Sequence, residues 1–214
     1  MINDPALTLA TPDWLWVATG MRALDHAIES CYSIRHHPIG DALGAKAISL
    51  LVEHLAASIQ TDGEEELAHR GYCQMAAWFS IYGSMNTRFS ISHLLGHQIG
   101  PRWDVPHGVT SCITLPHAMR FMAEIAPERF APIAEGFHLP FDPRNPKASA
   151  LACADRTAQF IAGFDVPHRL RDAGVPHAEI GDIVEPVMHE LEKSQVVGRP
   201  VTKAEVVGLL EASY

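Results

Sequence analysis

Apolar residues recur three and four positions apart along most of this chain, the spacing that lines one face of an α-helix. Residues 20–35 put Met21, Leu24, Ile28 and Cys31 on one stripe. Residues 41–59 repeat the pattern with Leu43, Ala47, Leu50, Leu51 and Leu55, and Asp41 suits the positive end of that helix. A third helix is predicted over 64–82, opening on three glutamates, and a fourth over 86–99. Gly100-Pro101-Arg102 and Pro106-His107-Gly108 predict a loop. The apolar run from Val109 to Leu115 then leads to Pro116 and a helix ending near residue 125. Gly136, Pro140, Pro143 and Pro146 mark a connector, after which helices are predicted at 148–163, 177–193 and 202–212. The last opens on Thr202-Lys-Ala-Glu205, the form of a capping box. No stretch alternates as a half-buried strand would, so the expected fold is all-α, one helical domain over residues 1–214.

The chain has 214 residues, 47% hydrophobic and 19% charged, with a mean hydropathy of +0.02. That balance supports one sizeable core and excludes a disordered chain. A formal charge of -9 and the lack of a basic stripe exclude a nucleic-acid partner. The opening residues lack the apolar core of a signal peptide, and no apolar run reaches the roughly 18 to 20 residues of a membrane span. A cytoplasmic protein with no membrane partner is therefore expected. Cys31, Cys73, Cys112 and Cys153 form no Cys-x-x-Cys and are expected as reduced thiols in or near the core.

Candidate chemistry gathers in the histidines. His93 and His97, at i and i+4, lie one above the other on a helix. His107 follows between a proline and a glycine, and His26 stands far upstream. Zinc and ferrous iron both accept imidazole nitrogen, and catalytic sites commonly use three protein ligands with an open position. Thirteen histidines make chance pairs common, so spacing alone equally allows satisfied core or surface residues. His36, His37 and His138 are expected at the surface or in turns, without a chemical role.

Four motifs change that balance: Gly20-Met-Arg-Ala-Leu-Asp-His-Ala-Ile-Glu29, Pro38-Ile-Gly-Asp-Ala-Leu43, His93-Leu-Leu-Gly-His-Gln-Ile-Gly100, and Pro106-His-Gly-Val109 with Leu115-Pro116. Together with Asp4-Pro-Ala-Leu-Thr8 and Gly198-Arg-Pro-Val-Thr202, they resemble the C-terminal helical domain of the iron-containing alcohol dehydrogenases. In character the chain is most similar to the maleylacetate reductase branch. The resemblance implies metal ligands at His26, His93 and His107, with Arg22 where the family carries an aspartate ligand. It implies a place for His97 beside nicotinamide and substrate, as a catalytic and cofactor-contacting group. Arg22 has no acceptor and cannot ligate, so a bound iron or zinc is doubtful. Arg22 is expected either to turn toward Asp25 or Glu29, or to bind an anionic substrate as a catalytic group.

The family's nucleotide-binding α/β domain, with its glycine-rich loop, is not among these residues. Binding of NAD(P) is therefore expected only with a partner domain. Three readings follow: one part of a split oxidoreductase with a separately encoded nucleotide-binding half, a truncated remnant without turnover, or a small binding or scaffold protein. A small-molecule substrate and a homo-oligomer belong to the same set of expectations. Arg88, where the family carries small residues, is expected to crowd the pocket.

Overall fold

Two helices form the centre of the computed structural model, which describes residues 3–84 and 87–214. Helix α1 (Asp13–Tyr32) is buried along most of its length, with Met21, Leu24, Ile28 and Cys31 all fully enclosed. Helix α5 (His107–Ala123) is enclosed from Gly108 to Pro116 and packs along α1. A hairpin of α2 (Pro38–His54) and α3 (Gly63–Ser84) covers one side of α1. Helix α4 (Ile91–Trp103) packs on α5 from the other side. The short α6 (Ala131–Gly136) rests on α2, and α7 (Pro146–Ala162) on α5. Helices α8 (Val184–Ser194) and α9 (Lys203–Ala212) close the α4 and α5 side. No strand occurs among the described residues, so the fold is all-α. The four cysteines are free and buried.

Element boundaries move where tertiary contacts override local signals. The predicted helix at 20–35 starts earlier, at Asp13, and ends at Tyr32. That at 86–99 begins only at Ile91, and its expected first residue lies outside the described residues. The reason is a cap supplied by another helix. Glu29 of α1 accepts the backbone N–H groups of Ser90 (2.8 Å) and Ser92 (2.9 Å), donors that the first turn of α4 leaves unpaired. The expected loop at Gly100-Pro101-Arg102 is helical, since α4 runs through Pro101 to Trp103. Proline in the last turn forfeits only one backbone bond, and Asp104, at φ 54°, ends the helix in the left-handed region. His107 is thus the first residue of α5 and not part of a loop. Residues His177–Ile183 are a 3-10 turn leading into α8, and the capping box of Thr202 and Glu205 is formed.

No helix among the described residues is long and apolar enough to cross a membrane. Close contact of α1 with α5 depends on Gly108, where a Cβ would drive into the backbone carbonyl of Ala18. Backbone cannot step aside as a side chain can. Gly108→Ala should therefore cost about 1–3 kcal/mol by forcing the two central helices apart. Urea denaturation measures this, and an unchanged midpoint would contradict the close packing.

Candidate functional site

Arg22 and His26 stand one turn apart on α1, His93 and His97 one turn apart on α4, and His107 opens α5. The three-residue link between α4 and α5 brings His107 back beside α4, with its ring 5.3 Å from that of His97 and 5.8 Å from that of His93. His26 lies 5.6 Å from His93, and Phe89 stacks against both, at 4.4 and 4.3 Å. Ring nitrogens of His93, His97 and His107 all lie within 4.8 Å of one another, the one such trio of ligand types found among the described residues. His26 neighbours the trio without belonging to it. The cluster holds imidazoles alone, with no carboxylate among its ligand atoms.

Arg22 fills the centre. Its Nη1 donates to Asp25 Oδ2 and to Ser111 Oγ, each at 2.9 Å, and Ser111 donates onward to the same Asp25 oxygen at 2.6 Å. Its Nη2 donates to His107 Nε2 at 2.7 Å and to His93 Nδ1. Of the two expected orientations, the side chain takes the Asp25 pairing and still reaches the histidines. Glu29 instead caps α4. Ser92 completes the buried network, donating to Asp25 at 3.2 Å and pairing with Thr114 at 2.9 Å. Phe89, Ser92, Ser111 and Thr114 were not singled out by sequence; the available signal was three hydroxyl residues inside otherwise apolar helix faces. Arg88 does not crowd the pocket: it is exposed and donates to the carbonyl of Ser194 at 3.2 Å.

A guanidinium only donates, so each ring nitrogen facing it must present a lone pair. Hydrogen bonding therefore assigns the ring protons of the neutral imidazoles to His107 Nδ1 and His93 Nε2. Burial, then the Arg22 charge, lowers His93 to about 2, His26 to about 3 and His107 to about 4. Burial raises the carboxyl of Asp25, against the pull of Arg22. Burial and the neighbouring Asp25 push Glu29 up to about 8. The mouth of the site is formed by exposed His97 and His107 above the buried guanidinium.

These residues do not fit a divalent ion. It would need the lone pairs that Arg22 occupies, at about 2.0–2.1 Å from nitrogen. It would also meet a fixed positive charge a few ångströms away, a repulsion of several kcal/mol even in a well-screened site.

A model of the Fe-containing alcohol dehydrogenase family, C-terminal, matches residues 16–214. The 1,3-propanediol dehydrogenase of Citrobacter freundii is 34% identical over 178 residues, covering 83% of this chain and 46% of that protein. The alcohol dehydrogenase from Oenococcus oeni superposes with a TM-score of 0.90 at 27% identity, covering 99% of this chain and 55% of that one. Maleylacetate reductase from Agrobacterium tumefaciens gives 0.79 at 24% identity, over 99% and 55%, a likeness of fold. The chain spans about half the length of these relatives.

Two expectations follow from the geometry. Purified protein should carry far less than one equivalent of iron or zinc at this cluster. Arg22→Asp should raise it toward one, because the imidazoles already converge; anomalous X-ray diffraction at this cluster decides, and a fully occupied ion held by His93 and His107 in the unmodified chain would contradict the misfit. Stability should also fall as pH drops from about 6.5 to 5. There the unfolded chain protonates His26, His93 and His107 while the folded chain does not. Asp25 and Glu29 work the other way, since burial favours their protonated carboxyls, Glu29 up to about 8, but three imidazoles outweigh two carboxyls. Urea denaturation at the two pH values tests the sign, and equal stability would contradict it.

Proposed function

Because the chain belongs to the Fe-containing alcohol dehydrogenase family, we propose that it forms the substrate side of a nicotinamide-dependent oxidoreductase. The reaction is hydride transfer between NAD(P) and an alcohol or oxoacid. One observation carries this reading: exposed His97 and His107 frame a mouth directly above a buried, fixed guanidinium. Positive-φ glycines stand singly at positions 63, 174 and 198, and no glycine-rich loop cradles phosphates among the described residues. The nucleotide's phosphates therefore do not fit here, and a nucleotide-binding half outside these residues is proposed to hold them. The exposed run Tyr72, Met75, Trp78, Ile81 and Tyr82 on α3 supports association with such a half or with a second copy. The nicotinamide brought by that half supplies or accepts the hydride.

This chain's own residues then place the substrate oxygen. His97, exposed at the mouth, is the group proposed to exchange the hydroxyl proton as substrate is oxidised or reduced. Arg22 supplies a permanent positive potential beneath, favouring the oxyanion without an ion. A guanidinium at position 22 also favours a substrate bearing a carboxylate, the basis for proposing kinship with the maleylacetate reductase branch. A second reading, a ligand-binding protein without turnover, is favoured by one fact. All four terminal N–H bonds of Arg22 are directed at protein atoms.

Assays with NADH and NADPH against a panel of alcohols, aldehydes and oxoacids test these readings. The chain alone should show no turnover, because orientation of cofactor against substrate is missing. Combined with a nucleotide-binding half, it should turn over, and His97→Ala should lower the rate by about 10²-fold or more. Robust turnover by the chain alone would overturn the two-part reading. An assembled but inactive pair would favour ligand binding.

A further inference from the structure

Away from the Arg22 centre, the α2–α3 hairpin brings two more histidines together. His54, the last residue of α2, and His69 on α3 face each other with their Nδ1 atoms 2.9 Å apart. Each turns its outer nitrogen to a glutamate: His54 Nε2 lies 3.9 Å from Glu53, and His69 Nε2 lies 3.8 Å from Glu65. We propose that His54 and His69 form a second divalent-cation site, one that takes zinc or a similar imidazole-seeking ion and ties α2 to α3.

Three features support this assignment. Metal-bound histidines characteristically present one nitrogen to the ion and the other N–H to a carboxylate. Here the two inner nitrogens converge, and each outer one has a glutamate of its own helix 3.8–3.9 Å away, within charge attraction but beyond a hydrogen bond. The ligand distance is also near. Two nitrogens bound tetrahedrally at about 2.0–2.1 Å stand about 3.3 Å apart, a few tenths of an ångström beyond the present separation. Finally, the His54 ring and its glutamate are held. His54 stacks on Tyr72 at 4.3 Å, and Glu53 accepts from Ser49 at 2.7 Å and pairs with His138 at 3.1 Å.

Without an ion, only one of the facing nitrogens can carry the proton that joins them. With an ion, both offer lone pairs, and water completes the coordination, since the side chains remain 18% and 21% exposed. Imidazole donors favour zinc, nickel or copper over magnesium or calcium. Glu64, Glu65 and Glu66 open α3 and make the approach negative. Unlike the site around Arg22, no cation stands among the ligand atoms. The role is structural, because binding to the folded chain alone stabilises it by mass action.

The test is a zinc titration of the full chain, followed by imidazole NMR and by melting temperature. His54 and His69 ring signals should move together and saturate at one ion, and the melting temperature should rise. His54→Gln and His69→Gln should each abolish that rise, while Glu65→Gln should weaken binding roughly tenfold with the fold intact. Unmoved His54 and His69 signals at saturating zinc would overturn the proposal, and that readout needs no substitution. Retention of the full zinc-dependent rise in both glutamine variants would overturn it as well.

Discussion

The buried ion pair of Arg22 with Asp25 sets the arrangement of everything around the histidines. Both side chains are nearly or wholly enclosed, and a buried charge left alone costs about 3–5 kcal/mol. Asp25 therefore anchors the guanidinium, and Ser111 and Ser92 anchor Asp25. What remains of the guanidinium's bonding points at His93 and His107, fixing both rings as neutral acceptors. A cation supplied by the chain itself thus occupies the space where the family resemblance implies an ion from solution.

That pair also explains why α1 tolerates so much polarity inside the core. Arg22, Asp25 and Glu29 lie on one buried face of α1, and each finds its partner on another helix. Arg22 reaches α4 and α5, Asp25 reaches Ser92 and Ser111, and Glu29 caps the start of α4. Polar groups here act as a register between α1 and the α4–α5 pair, because a shift of any helix would leave several of them unsatisfied at once. The position of His97 and His107 at the mouth follows from that register.

Much of the fold was legible because helical periodicity follows burial. The stripe of Met21, Leu24, Ile28 and Cys31 is fully enclosed, as its spacing predicts. Local punctuation misled at Pro101, where a helix already near its end loses only one bond by including proline. It misled again before Ile91, where the capping group comes from Glu29, more than sixty positions away. The histidines of the cluster were readable from motif and spacing. The direction taken by Arg22 was not, because it depends on Ser111 and His93, separated from it by 89 and 71 positions. Long-range hydrogen bonds leave no period in a sequence.

Anomalous X-ray diffraction at the iron and zinc edges, from crystals of the unmodified chain grown with either metal in excess, tests most directly whether a guanidinium has taken the ion's place. The account predicts continuous density for Arg22 between His93, His107 and Asp25, with no anomalous peak among these groups. An anomalous peak bound by His26, His93 and His107, with Arg22 swung out of the centre, would contradict it.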